Sequence, residues 1–156
     1  MSTRRWQRGA LSVVGGILVA AALAGCQATP GKYTYVDARS ASHSAAKIAL
    51  AGLPATRKVL SDAHITCPSD TGFFASSFTW RTVTSVAAPK DQVQQANARV
   101  LATMAARGWR ASTPRNGITT LTPRTKAATP ARVARMLTDV EPNAVVLTVF
   151  SSCYGG

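Results

Sequence analysis

Ala144-Val145-Val146-Leu147-Thr148-Val149-Phe150-Ser151-Ser152-Cys153-Tyr154 is the stretch whose reading decides the fold. In an extended chain Val145, Leu147 and Val149 share one face and Val146 and Phe150 the other, so the segment reads as a central strand covered on both sides. Glu141-Pro142-Asn143 ahead of it makes a turn. Residues 129–140 before that turn admit two readings. Thr129-Pro130 suits a helix N-cap with Pro at N1, whereas Val133, Arg135 and Leu137 alternate as in a strand, and the alternation favours the strand.

Further back, Trp109–Thr113 and Ile118–Thr122 flank Arg115-Asn116-Gly117, and Asn-Gly between extended runs is a hairpin signal. Pro114 places one arm near a sheet edge. Val93, Ala96, Val100, Leu101 and Met104 form a helical stripe, stopped at Gly108, with Trp109 folding back onto Met104. Phe74, Phe78 and Trp80 alternate with Ala75, Thr79 and Arg81 through Thr84, a strand that follows the turn cluster Cys67–Gly72. Nearer the start, Ala41, Ala45, Ile48 and Gly52 fall on one side of a helix that Pro54 ends. A second short helix, with Val59, Leu60 and Ala63 inward, is predicted to run to about His64. The pattern predicts an α+β fold for residues 36–156: an N-terminal helical region, then an antiparallel sheet of four or five strands with a packed helix.

Met1–Arg8 is basic, Ala10–Ala22 is apolar, and Leu23-Ala24-Gly25 leads into Cys26. With Leu at −3, small residues at −2 and −1 and Cys at +1, this resembles the bacterial lipoprotein signal peptide with its lipobox. The resemblance implies cleavage before Cys26, a diacylglyceryl group on its sulfur and acylation of the new amine. Residues 1–25 are then a signal peptide and residues 26–35 a lipidated end and short tether. The body would be held at the extracytoplasmic face of the cell membrane. A signal-anchor helix is the weaker reading, since a span needs about 20 apolar residues and the run from Arg8 to Cys26 falls short. Arg4-Arg5 also permits twin-arginine export, although Trp6, Gln7 and Arg8 suit the following positions poorly.

If Cys26 carries lipid, Cys67 and Cys153 remain as one disulfide pair in an oxidising compartment. The order of features is similar to a group of small actinobacterial envelope lipoproteins of unassigned function. It comprises a helical start, a Cys at its end, an aromatic strand, Gly108-Trp109-Arg110, a meander and the terminal Ser151-Ser152-Cys153-Tyr154. The resemblance implies a fold and no activity, and it brings no catalytic residue.

Eighteen Lys and Arg face six Asp and Glu. Without Arg4, Arg5 and Arg8 the count is fifteen against six, a formal +9. Such a surface attracts polyanions and anionic membranes through a salt-screened field. The six acids, Asp37, Asp62, Asp70, Asp91, Asp139 and Glu141, fall in predicted helix ends and turns, where such side chains cap amides or meet solvent, so no catalytic set is predicted. There is no Gly-x-Ser-x-Gly elbow and no His-Glu-x-x-His. Gly25–Lys32 has five residues between its glycines where a phosphate loop has four. His64 and Cys67 have a conceivable ligand spacing but lack further ligands nearby, and His43 stands apart, so no metal or cofactor is predicted. Cys67 also lacks a Cys-x-x-Cys partner for redox chemistry. The aromatics Phe73, Phe74, Phe78, Trp80, Trp109, Phe150 and Tyr154, with Arg81 and Arg110, fit a core better than a nucleic-acid stacking platform. Arg57-Lys58 and Arg132–Arg135 are the densest basic places. The function expected is a lipid-anchored, non-catalytic binding or scaffolding module of the envelope, partnered by the membrane and by an anionic envelope polymer or a protein. An envelope hydrolase acting on wall material is the alternative. Oligomeric state is left open.

Overall fold

The computed structural model describes residues 33–54, 56–67, 77–128 and 130–155. Leu23, Ala24, Gly25 and Cys26, the following tether to Lys32, and the turn residues with Asp70, Phe73 and Phe74 lie outside them. Thr34 begins the first helix, α1 (Tyr35–Ala49), with a reciprocal capping box. Its Oγ1 accepts the Asp37 amide at 3.4 Å, and the Asp37 carboxylate accepts the Thr34 amide at 3.0 Å. These backbone and side-chain bonds from Thr34 hold the Asp37 carboxyl below its ordinary range. Ala38, Ser42, Ala45, Ala46 and Ala49 make the buried side, small enough for the helix to lie close against the sheet.

The second predicted helix is instead a strand, β1 (Arg57–Thr66), antiparallel to β2 (Ser77–Ala87) with His64 opposite Trp80 and Asp62 opposite Thr82. The register shifts between Val59 and Ser61, which sets Leu60 aside as a bulge and breaks the period-2 pattern that would mark a strand. Val59 and Leu60 are 57% and 51% exposed, so their apolar spacing marks no buried helical stripe.

After β2 come α2 (Val93–Ala105), then β3 (Trp109–Ala111), β4 (Thr119–Pro123), β5 (Val133–Glu141), β6 (Ala144–Ser151) and the two-residue β7 (Tyr154–Gly155). The sheet runs β1-β2-β6-β5-β4-β3, with β7 paired to the start of β2, more strands than the four or five expected. Residues 133–141 are strand, as the alternation indicated. Asn116 and Gly117 have φ of 50° and 79°, and Arg115 and Ile118 exchange backbone bonds of 2.9 Å across them. Two successive positive φ values are what a two-residue hairpin turn demands.

Both helices lie on one face of the sheet. Val145, Leu147 and Val149 of β6 are fully buried there, with Val86, Met136, Leu121, Trp109 and Met104 in the same core. The expectation that β6 is covered on both sides is corrected, because among the described residues no helix lies on its other face. Val146 and Thr148 are half-buried on that side, and Phe150 lies beneath the Arg135 guanidinium, 4.4 Å from the ring centre. The residues that a second N-terminal helix would have supplied extend the sheet as β1.

Cys67 and Cys153 form a disulfide across 86 residues, tying the β1–β2 connection to the chain after β6. The chain-entropy model puts the stabilisation from so long a loop at about 4 to 5 kcal/mol, an upper figure. Cys153 does not continue the Val145 face. Ser152 leaves the ladder, donating its amide to the Arg132 carbonyl at 2.7 Å, and Cys153 then lines a small slot on the helix-free side with Ile65 and Phe150.

Gly108 has φ of 82° where α2 gives way to β3, and it delivers Trp109 into the core beside Met104. A Cβ at Gly108 would have room, being 3.7 Å from Ala128, but not the conformation. Gly108→Ala is therefore expected to lower unfolding free energy by about 1 to 2 kcal/mol, the cost of a left-handed conformation for a residue with a Cβ, measured by urea denaturation.

Candidate functional site

The densest polar constellation is centred on Asp62, halfway along β1 and facing α1. Its Oδ1 accepts from Thr82 Oγ1 at 2.9 Å, from the Trp80 indole Nε1 at 2.5 Å and from His43 Nε2 at 2.9 Å; its Oδ2 accepts from Arg39 Nε at 3.1 Å. Arg39 and His43 are one helical turn apart on α1 and reach the same carboxylate. Arg39 also lies over the Trp80 ring, 5.6 Å from its centre. Burial pushes the Asp62 carboxyl up, but the hydrogen bonds from His43, Trp80 and Thr82 together outweigh it and hold the group below its ordinary value.

Asp62 thus departs from the expectation that the acids sit in turns and helix ends, and so does Asp139, inside β5. Asp37, Asp91 and Glu141 do lie at element ends or turns. With four donors on two oxygens, Asp62 is a fixed ionised acceptor and a poor proton acceptor. It orients His43 through Nε2 and leaves Nδ1 as the ring nitrogen open to other partners.

Beside this cluster, between α1 and the first half of β1, runs a groove of about 200 Å³. Leu50, Thr82 and Thr84 form its buried floor, and His43, Lys47 and Arg57 stand around it. One Arg57 nitrogen, Nη2, donates to the Leu50 carbonyl at 2.9 Å and caps the end of α1. Among the described residues no carboxylate lines the groove. Among the described residues the ion pairs are Arg39–Asp62 and His43–Asp62, which leaves Lys47 and Arg57 without an acidic partner.

Of the remaining candidates from the sequence, Phe78, Trp80 and Tyr154 are linked through ring contacts with His64 and with one another, and the others are dispersed. His64 packs edge-on against Phe78 and Trp80, at 5.5 and 6.3 Å between ring centres, and Cys67 is in the disulfide, so the two supply no thiolate and imidazole together. Among the described residues no three His, Cys, Asp or Glu side chains converge. Trp80 faces α1, Phe150 the opposite side and Trp109 the core, so these aromatics form no common platform. Arg81 lies on the helix-free face with Nη2 3.4 Å from Ser61 Oγ and a buried Nε that finds no acceptor, and Arg110 is exposed on β3. The Asp62 cluster escaped the sequence because it requires β1 to be a strand in register with Thr82. Its one visible trace is the pairing of Arg39 and His43 at i, i+4.

No protein-family model matches the chain, and comparisons with curated proteins and with solved structures give no match. Among the described residues no helix is long and apolar enough to cross a membrane.

Removing the Asp62 carboxylate leaves the Trp80 and Thr82 donors unmet beneath α1. Asp62→Ala is expected to cost about 2 to 4 kcal/mol in urea denaturation. Because the folded carboxyl titrates below its unfolded value, near 3.9, its contribution is complete above that pH. It is lost as pH falls through the folded value. The wild-type protein should therefore lose stability on acidification below about pH 4 more steeply than Asp62→Asn, and equal acid profiles would contradict the assignment.

Proposed function

We propose that the chain is a bacterial lipoprotein held by lipid on Cys26 at the extracytoplasmic face of the cell membrane, and that its body is a non-catalytic module binding an anionic envelope polymer. The observation that carries the anchoring is the Cys67–Cys153 bridge, which leaves Cys26 of the three cysteines as the one available for lipid. A persistent disulfide also suits an oxidising compartment. The binding half rests on charge. In the body from Cys26 onward six acids face fifteen Lys and Arg, and Asp62 already spends its charge on Arg39 and His43 within the fold. The remaining basic surface is a field that a polyanion neutralises with release of counterions.

A specific observation favours a second reading, an envelope hydrolase: His43 is oriented by a carboxylate at the rim of a groove, as a general base would be. Against it, the groove is lined by neither Ser nor Cys, the Thr82 hydroxyl is committed to Asp62, and the Thr84 hydroxyl has no hydrogen bond to His43 or to any other described base.

Cys26→Ala is expected to move the protein from the membrane fraction and abolish labelling by a fatty-acid probe; retention with labelling intact would refute the anchor. The unlipidated chain should bind purified anionic wall polymer at low salt and release it as salt is raised. Degradation of wall material by wild type but not by His43→Ala would replace the binding module with the hydrolase.

A further inference from the structure

We infer that the groove between α1 and the start of β1 is a binding site for a small oxyanion carried on a short apolar chain, of the alkyl phosphate or carboxylate class. This goes beyond attraction of a polymer to a basic surface, and it does not depend on the Cys26 anchor. Three groups that carry or can carry positive charge, His43, Lys47 and Arg57, stand around one small concavity that holds no acid.

Part of that charge serves the helix. The C-terminal end of α1 bears about half a negative charge, and Lys47 in the last turn and the Arg57 bond to the Leu50 carbonyl offset it. Two full charges exceed what the dipole needs. A guanidinium has five N–H donors and an ammonium three, so most of the donors of Arg57 and Lys47 remain for a ligand. The Thr84 hydroxyl, at the buried floor, makes no hydrogen bond to another described residue. The nearest acid, Asp62, is already saturated by four donors and does not compete for Lys47 or Arg57.

Size and lining fix the rest of the ligand. At about 30 Å³ per water, about 200 Å³ holds roughly six or seven water-sized groups, enough for a phosphate or carboxylate with a few carbons. Ala46, Leu50 and Val59 give those carbons an apolar wall, and Val59 is 57% exposed with no other cover among the described residues. Arg57 and Lys47 then take the oxyanion from two sides, with His43 adding a third donor when protonated. The other described concavities bring together fewer such groups: the larger depression at the β3–β4 hairpin has Arg115 alone, the slot at the disulfide has Arg135 alone, and the one ahead of β5 has Lys126 and Arg132, the latter stacked on the Tyr33 ring.

The test is a titration of the unlipidated chain with inorganic phosphate, butyl phosphate and butyrate, followed by amide shifts at near-physiological salt. Butyl phosphate should give saturable shifts centred on Ala46, Leu50 and Thr84 and bind about tenfold tighter than inorganic phosphate, through the methylenes it buries. Butyrate should perturb the same amides. Lys47→Glu should weaken butyl phosphate at least tenfold while leaving the far-ultraviolet dichroism near wild type and lowering the thermal midpoint by only a few degrees, as an acid in the last turn of α1 does. Lys58→Glu makes the same charge change on β1 outside the groove and should leave affinity within about twofold. Shifts that do not saturate, shifts centred on Arg81 and Arg135, or equal losses in the two variants would overturn the site. Inorganic phosphate binding as tightly as butyl phosphate would overturn the apolar half of the assignment.

Discussion

The packing of α1 and α2 against one face of the sheet is the constraint on which the rest of the described structure depends. One face of β6, Val145, Leu147 and Val149, is sealed beneath α1 and α2, and that burial is the main source of stability. Among the described residues no helix lies on the other face. Its apolar residues are shielded piecemeal, by the sheet's own side chains and by guanidinium groups such as Arg135 over Phe150. The helix laid across the sheet edge creates a concave place, and in that groove His43, Lys47 and Arg57 come together.

Asp62 gives that arrangement its registration. A carboxylate in the middle of an edge strand, tied to two residues of α1 and two of β2, fixes how the helix sits over the strands. It also decides the character of the groove beside it. By spending its charge inward on Arg39 and His43, it leaves Lys47 and Arg57 facing a cavity without a counter-charge. The same carboxylate orients His43, so the structural and chemical roles of the site meet in one residue.

Elements whose determinants are local were legible in the sequence. Gly108 stopping α2, Asn116-Gly117 turning a hairpin and the alternation through β6 each depend on a few neighbouring residues. Strand β1 was not legible, because its bulge at Leu60 and its exposed edge remove the alternation that a half-buried strand displays. One-sided cover of β6 was equally hidden, since Val146 and Phe150 have the same apolar character whether a helix or a stacked guanidinium lies above them. The Asp62 site required contacts across 18 to 23 residues and a known register, and no spacing rule along the chain contains that information.

The proposed lipid on Cys26 and the Cys67–Cys153 bridge are addressed by one measurement. Intact mass and thiol counting on protein extracted with detergent from its own membrane should give a chain beginning at Cys26 that carries diacylglyceryl, with no thiol open to alkylation until reductant frees Cys67 and Cys153. A chain retaining residues 1–25, or three cysteines alkylated without reduction, would contradict it.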